Sequence, residues 1–340
     1  MEVKETIVLA GGTGFLGQVL SDYFVAQGYK VIILTRQSRE STTQVEYVQW
    51  NATTEGPWML ALEQSKALIN LCGRSVDCRY TPENQEAIYQ SRLVPSALLG
   101  KAIALCDAPP SVWINSSSAT YYRHALDQPN DEYTGLAGTG FSVEVVRQWE
   151  RVLSEAKVPG TRKIALRSAL VMGTQGGPWP VLKSLARWGV GGAAGPGNQF
   201  VSWVHAQDFA RMMDWLIQHP NAEGVYNAAA PDPLRNRLFM KVLRHSLGRR
   251  LGIAIPTWAV KLGAWFRQTE AELLLKSRWV LPARAQQEGF VFQHPTWAGA
   301  ARQLSEGKAV QPSTVLSMTT VPKKKYIIPK PRKTSQPHWG

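Results

Sequence analysis

The chain has 340 residues, 44% hydrophobic and 19% charged, a balance typical of folded globular proteins that excludes an intrinsically disordered chain. The formal net charge is +13, but residues 307–340 contain seven lysines and arginines and no Asp or Glu. About half of the excess charge therefore lies in this tail, and nucleic-acid binding by the body is not expected. Contact of the tail with an acidic surface or a nucleic acid stays open as an alternative.

The remaining compositional features favour a cytoplasmic protein, and the stroma of an organelle fits equally well. No apolar run is long enough to cross a membrane, so no membrane partner is expected. No charged leader or apolar signal core precedes the first strand-like run, residues 6–10. The three cysteines, Cys72, Cys78 and Cys106, lack metal-binding spacing, which predicts reduced thiols and no metal site.

Strand-like and helix-like segments alternate over residues 6–230. Most strand-like runs are continuously apolar, as in strands buried on both faces of a parallel sheet. They are residues 6–10, 31–35, 45–50, 67–72, 111–116, 163–172 and 225–230, and the helical candidates are 15–27, 57–64, 82–106, 141–156, 178–188 and 206–218. This alternation predicts an α/β fold with a doubly wound parallel Rossmann sheet.

After residue 230 the pattern becomes mostly helical. Residues 231–250 predict a Pro-rich turn that leads into one amphipathic helix, and the weaker signals predict helices at 257–266 and 270–277 and a strand at 289–293. We therefore predict three parts. They are a Rossmann domain (1–230), a small, mostly helical substrate-side domain (231–305) and a basic, disordered tail (306–340).

The motif 9-LAGGTGFLGQVL-20 directly follows the first predicted strand and opens a helix. Gly11, Gly14 and Gly17 are spaced as dinucleotide binding requires, because the turn must be tight, the backbone must approach a pyrophosphate and helix must pack closely on strand. The helix N-terminus then offers free N–H groups to the phosphates. A merely structural turn is the alternative.

The end of the second predicted strand bears on which dinucleotide binds. An NAD site usually carries Asp or Glu there, whereas this chain has Arg36. A guanidinium at that place would bind a 2′-phosphate, which favours NADP(H) over NAD(H). The alternative is that Arg36 merely ends the strand in solvent.

Taken together, these motifs resemble an extended-type short-chain dehydrogenase/reductase. The stretches 70-NLCGRSVDCRYT-81, 115-NSSSATYYR-123, 149-WE-150, 202-SWVHAQD-208 and 279-WVLPARAQQEGFVFQHP-295 resemble, more closely, an atypical branch. This branch is often called the epimerase family, or nucleoside-diphosphate-sugar epimerase-like, and has a short C-terminal domain of unknown function. The resemblance extends from about residue 5 to about residue 301.

The resemblance implies a set of cofactor contacts. They are Gly11, Thr13, Gly14, Phe15, Leu16, Gly17, Arg36, Leu71, Cys72, Gly73, Arg74, Ser116, Ala169 and Leu170. Active members of the superfamily use a Ser together with Tyr-x-x-x-Lys on the following helix. Ser117 or Ser118 matches the Ser, but Phe141 and Val145 occupy the places of the Tyr and the Lys.

The predicted catalytic residues are accordingly Ser117, Ser118 and Tyr122, with Tyr121 as another replacement acid and simple packing of both tyrosines as the alternative. Arg123 and Arg74 depart from the branch, which usually has Gly and Glu at these places. Two functions remain open. One is an NADP(H)-dependent oxidoreductase or epimerase-like enzyme acting on an unknown small carbonyl or sugar-like substrate. The other is an NADP(H)-binding sensor or assembly partner without turnover.

Overall fold

The structure is a computed structural model of the full chain, and it describes residues 4–266 and 275–307. The strands are β1 Lys4–Ala10, β2 Tyr29–Thr35, β3 Val45–Gln49, β4 Ala67–Asn70, β5 Val112–Asn115, β6 Arg162–Ser168, β7 Leu170–Met172, β8 Phe200–Val201, β9 Trp203–His205, β10 Gly224–Ala228 and β11 Leu234–Arg235. The α-helices are α1 Phe15–Ala26, α2 Pro82–Ala104, α3 Phe141–Glu155, α4 Trp179–Arg187, α5 Ala206–Gln218, α6 Asn236–Ser246, α7 Thr257–Phe266, α8 Ala283–Gln287 and α9 Trp297–Glu306. Pro57–Leu62 and Ala119–Tyr121 are 3₁₀-helices.

Seven parallel strands form the central sheet in the order β10-β6-β5-β4-β1-β2-β3. Strand order reverses beside β1, whose Val8 is paired with Ile32 of β2 on one side and with Leu68 of β4 on the other. In doubly wound sheets the crevice outside the carboxyl ends of such strands is the usual ligand site. The predicted doubly wound parallel sheet is confirmed.

Helices cover both faces of the sheet, which explains the continuously apolar strands. On one face α1 and α5 pack through residues such as Phe24 and Phe209. On the other face α2 and α3, together with the 3₁₀-helix 57–62, pack around Trp113 and Trp58. Each strand thus supplies apolar side chains to two separate cores.

A third core joins segments far apart in sequence. Trp179 of α4, Trp203 of β9, Phe239 of α6 and Trp297 of α9 are all buried in it. The Phe239 and Trp297 rings are stacked with centroids 4.1 Å apart. Many tryptophans of the chain therefore serve packing. We call α4, α6, α7 and residues 188–200 and 247–256 the cap.

Several predicted elements differ from the observed ones. The single strand predicted at 163–172 is two strands, because the chain bends at Ala169 and β7 leaves the central sheet to pair with β9. The strand predicted at 289–293 is absent among the described residues. Phe290 and Phe292 are buried there, but the backbone N–H of Gln293 donates to Asp208 instead of to a strand.

Three helical predictions also need correction or lie partly beyond the described residues. The helix predicted over 231–250 covers only Asn236–Ser246, and residues 57–62 are 3₁₀ rather than α-helical. Helices α8 and α9 were not predicted. Of the helix predicted at 270–277, residues 270–274 lie outside the described residues, and so does the tail after residue 307. No helix within the described residues is long and apolar enough to cross a membrane.

Candidate functional site

The glycine turn between β1 and α1 has the geometry that the sequence predicts. Gly11 has φ +74°, which favours glycine. A side chain at Gly17 would collide with the backbone of Gly12, so Gly17 allows helix and turn to pack closely. A Cβ at Gly14 would meet nothing within 4 Å. The space in front of Gly14 is open, as a cradle for a pyrophosphate requires.

The start of α1 completes this cradle. Gly14 is the N-cap of α1, no side chain caps the helix, and its first turn contains no acidic residue. The first N–H groups and the positive end of the helix dipole are thus available to an anion. Thr13 is exposed at this edge, and Phe15 and Leu16 are half-buried behind it.

A second glycine segment, residues 173–177, packs against Phe15. A Cβ at Gly173 would lie 2.7 Å from the Phe15 ring, and one at Gly177 would lie 3.0 Å from it. This segment links the turn at the cofactor cradle to α4, which begins two residues after Gly177. The sequence interpretation missed it, although its three glycines within five residues were a usable signal.

The ends of β1, β2 and β4 meet beside the glycine turn. The N–H of Gly11 donates to Leu34 at 3.0 Å, and the N–H of Leu71 donates to Ala10 at 2.8 Å. Cys72 is buried against Gly11, and burial raises the pKa of its thiol to about 12. The thiol is therefore a packing group rather than a nucleophile.

Arg36 is exposed directly after β2, at the same edge of the sheet. The N–H of Gly11 donates to the carbonyl of Leu34, two residues before Arg36, so the chain at Arg36 runs beside the glycine turn. The structure thus brings Arg36 and the glycine turn to one side of the crevice.

Arg92 of α2 is a half-buried cation beside the loop that follows β4. Its guanidinium donates to the carbonyls of Ile88 at 3.1 Å and Arg74 at 3.0 Å, and it lies against Gly73. Burial lowers the pKa of Arg92 to about 10. It holds the loop after β4, while the Arg74 side chain itself donates to Asn84 at 2.8 Å.

The serine cluster follows β5, and its members have different surroundings. The N–H of Ser116 donates to the carbonyl of Asn70, which ties the cluster to the end of β4. Ser118 caps the 3₁₀-helix by accepting from the N–H of Thr120 at 3.2 Å. Ser117 is buried and donates to Glu150 at 2.6 Å.

Glu150 also forms a buried ion pair with Arg167 of β6. The pair is bidentate, with N–O distances of 2.8 and 2.7 Å. Burial disfavours the charged form of Arg167, but Glu150 outweighs burial and raises the pKa of Arg167. The Arg167 guanidinium also lies 3.4 Å from the centre of the Tyr121 ring. Ser117 is thus one member of a fixed polar cluster.

Tyr122 is fully buried, and its hydroxyl donates to Asn227 at 3.0 Å. Burial raises the pKa of Tyr122 to about 12. This geometry favours the packing role that the sequence left open. The side chain at 141, in contrast, belongs to an aromatic group, because the Phe141 ring lies 4.7 Å from Tyr80 and 5.4 Å from Tyr89.

Ala169 and Leu170 lie where β6 ends and β7 begins. Ser118 and Ser168 form a parallel bridge, so the serine cluster and this strand end are neighbours. Leu170 is exposed, whereas the N–H of Ala169 donates to Ala228 at 3.0 Å. No group of three or more His, Cys, Asp or Glu suited to a metal occurs within residues 4–266 and 275–307.

The sequence and the fold of this chain are similar to those of known proteins. The sequence matches the NAD-dependent epimerase/dehydratase family over residues 7–229 and a domain of unknown function, DUF1731, over residues 255–304. An epimerase family protein of Staphylococcus epidermidis is 31% identical, covering 84% of this chain and 94% of the relative. The human epimerase family protein SDR39U1 is 29% identical, covering 88% of this chain and 99% of the relative.

A solved structure of the human protein SDR39U1 with NADPH superimposes with a TM-score of 0.79 at 28% identity. The match covers 89% of this chain and 100% of the human one. The resemblance described from the sequence, including the short C-terminal domain of unknown function, is thereby confirmed.

Proposed function

This chain belongs to the NAD-dependent epimerase/dehydratase family, and from that premise we propose that it binds NADP(H) in the crevice between β1 and β4. The observation that carries the proposal is the open space in front of Gly14, at the N-terminus of α1. The pyrophosphate lies there, and the human relative solved with NADPH supports the same cofactor.

Arg36 selects the phosphorylated cofactor. It is exposed after β2, where an NAD site would carry a carboxylate, and its guanidinium pairs with the 2′-phosphate. The residues of the site thus accommodate an adenine dinucleotide along the ends of β1, β2 and β4. The bound cofactor would supply hydride transfer, and the protein would supply position and charge.

Calorimetry with NADPH and NADH tests the preference. We expect NADPH to bind about 10- to 100-fold more tightly, because one charge-assisted contact distinguishes the two. Arg36→Asp should remove the difference. Arg302→Asp, an exposed arginine on α9, serves as the matched control and should leave both affinities unchanged. Equal affinities for the two cofactors in the unmodified protein would overturn the assignment.

For the chemistry we propose an oxidoreductase or epimerase-like reaction on a small carbonyl or sugar-like substrate, without the usual Tyr-x-x-x-Lys pair. Ser118, at the exit of β5 and beside the end of β6, is the hydroxyl best placed to meet such a substrate. A missing general acid typically costs about 10²- to 10⁴-fold in rate. NADPH oxidation across a panel of aldehydes and ketones should therefore be slow.

An NADP(H)-binding protein without turnover is the second candidate. It is favoured by Phe141, which packs between two tyrosine rings, and by Val145, which is buried in α3. Co-purification with NADPH and identification of any second small molecule separates the candidates. A bound carbonyl or sugar compound supports the enzyme, whereas tight NADPH binding with no turnover of that compound supports the sensor.

A further inference from the structure

The cap has an unusual distribution of charge. No Asp or Glu occurs between Glu155 and Asp208, and none occurs between Asp232 and Glu270. Residues 179–200 and 235–266 of these stretches contain nine lysines and arginines. The exposed ones described by the structure are Arg187, Arg237, Lys241, Arg249 and Arg250. The charged side chains of these stretches are therefore all positive.

The same region exposes large apolar side chains. Trp188 is 82% exposed, Leu251 87%, Ile253 71% and Trp258 69%. Single exposed apolar residues are common, but several large ones in one small region usually mark a contact surface.

Backbone hydrogen bonds bring together the two segments that carry these side chains. The N–H of Ile253 donates to Gly189 at 2.8 Å, and the N–H of Gly192 donates back to Ile253 at 3.0 Å. Farther along, the N–H of Gly195 donates to Ile255 at 2.8 Å. Residues 187–195 and 249–258 thus run side by side. We call their exposed side the cap face.

Charge and shape narrow the choice of partner. A second copy of the chain would bring like charges together on the cap face, which opposes association. The side chains of Trp188, Leu251 and Ile253 are more than two-thirds exposed, so they protrude instead of lining a groove. Protruding apolar groups bordered by arginines fit a partner that is negatively charged and soft enough to admit them.

We propose that the cap face binds the surface of an anionic lipid bilayer. Trp188, Trp258 and the aliphatic residues insert at the boundary of headgroups and acyl chains, as tryptophans do at membrane interfaces. Arg187, Arg249 and Arg250 pair with lipid phosphates. The sequence expectation of no membrane partner concerned spanning segments, whereas this contact needs none.

Sedimentation of the full-length protein with lipid vesicles tests the proposal. We expect binding to vesicles of phosphatidylcholine mixed with phosphatidylglycerol, at least about tenfold stronger than to phosphatidylcholine alone and weakened by salt. The double variant Trp188→Ser, Trp258→Ser should lose about tenfold or more in affinity for these vesicles, since the two buried aromatic side chains together contribute at least that factor. Its melting temperature should stay unchanged because both side chains are exposed.

Two control variants make the result specific. Leu60→Ser removes a 77% exposed apolar side chain on the 3₁₀-helix 57–62, outside the cap, and should bind vesicles normally. Lys323→Gln with Lys324→Gln and Lys325→Gln removes charge from the tail and should reduce binding less than the tryptophan variant does.

Three outcomes would overturn the proposal. In the first, the protein binds the mixed vesicles no more tightly than vesicles of phosphatidylcholine alone. In the second, the tail variant loses vesicle binding and the tryptophan variant keeps it. In the third, the protein binds polyglutamate or single-stranded DNA through the tryptophans but does not bind vesicles. The last would assign the cap face to a protein or a nucleic acid. None depends on cofactor binding, so failure here leaves the proposed function untouched.

Discussion

Gly14 has φ −89°, a value open to any residue, and no atom lies near its missing Cβ, so its own packing does not require glycine. A ligand does. Gly14→Val should lower NADPH affinity by about 10- to 100-fold, as overpacking of a filled site does. The melting temperature should fall only slightly, because Val at an N-cap costs about 1 kcal/mol relative to a good cap. Normal affinity in the folded variant would place the pyrophosphate elsewhere.

Tyr122 separates a structural role from a catalytic one. Tyr122→Phe removes the hydrogen bond from its hydroxyl to Asn227 and leaves the buried Oδ1 of Asn227 without that donor. We expect a loss of about 1–3 kcal/mol in the free energy of unfolding, measured by urea titration, with NADPH affinity unchanged. Ser118→Ala, the contrasting variant, should instead affect any NADPH-dependent turnover. If Tyr122→Phe abolished turnover while its NADPH site was fully occupied, Tyr122 would be the general acid after all.

At the scale of elements, the Glu150–Arg167 pair joins α3 to β6 and holds Ser117 after β5. Glu150→Ala should cost about 3–5 kcal/mol of unfolding free energy, because it leaves the Arg167 cation buried without its carboxylate. The double variant Glu150→Leu, Arg167→Met should recover much of this loss, since no unpaired charge remains. Chemical denaturation measures both. A loss in the double variant as large as in Glu150→Ala would show that the pair itself, not the stranded charge, supports the fold.

The sequence was informative where one local pattern determined the structure. The glycine turn, its strand and its helix follow from spacing and apolar runs, and α5 was predicted with the observed bounds, Ala206–Gln218. The ion pair was not predictable, because Glu150 and Arg167 come from different elements and nothing in either segment marks the other. The partner of Tyr122 lies 105 residues away, which is equally invisible to local pattern.

The C-terminal elements illustrate the same limit. Residues 289–293 are strand-like in sequence, but Asp208 at the start of α5 accepts hydrogen bonds from the backbone N–H groups of Gln293 and His294 at 2.9 and 2.7 Å. A buried carboxylate thus replaces the partner strand. The structure buries Phe290 and Phe292, and the sequence pattern did not indicate what their backbone would bind.

At the scale of the whole molecule, a histidine pair joins the junction of β9 and α5 to the C-terminal segment. The rings of His205 and His294 lie 3.9 Å apart, and His205 Nε2 is 2.9 Å from Gln303 of α9. Burial, followed by the nearby His294, lowers the pKa of His205 to about 3. Burial also lowers the pKa of His294, against the opposing effect of Asp208. Both rings are therefore neutral in the folded protein near neutral pH.

Stability should consequently fall as the solution is acidified. Below the ordinary histidine pKa of about 6.5 the unfolded chain binds a proton at His205 that the folded protein excludes, so each pH unit down towards the folded value costs about 1.4 kcal/mol. His294 acts in the same direction. Urea titrations between neutral pH and the acid range should show this slope. His205→Asn, whose side chain can still cap α5, should flatten it, whereas His245→Asn, at an exposed position on α6, should not. An unchanged slope in His205→Asn would mean that the acid sensitivity arises from other groups. The contact between the β9–α5 junction and the C-terminal segment would then not depend on pH through this histidine pair.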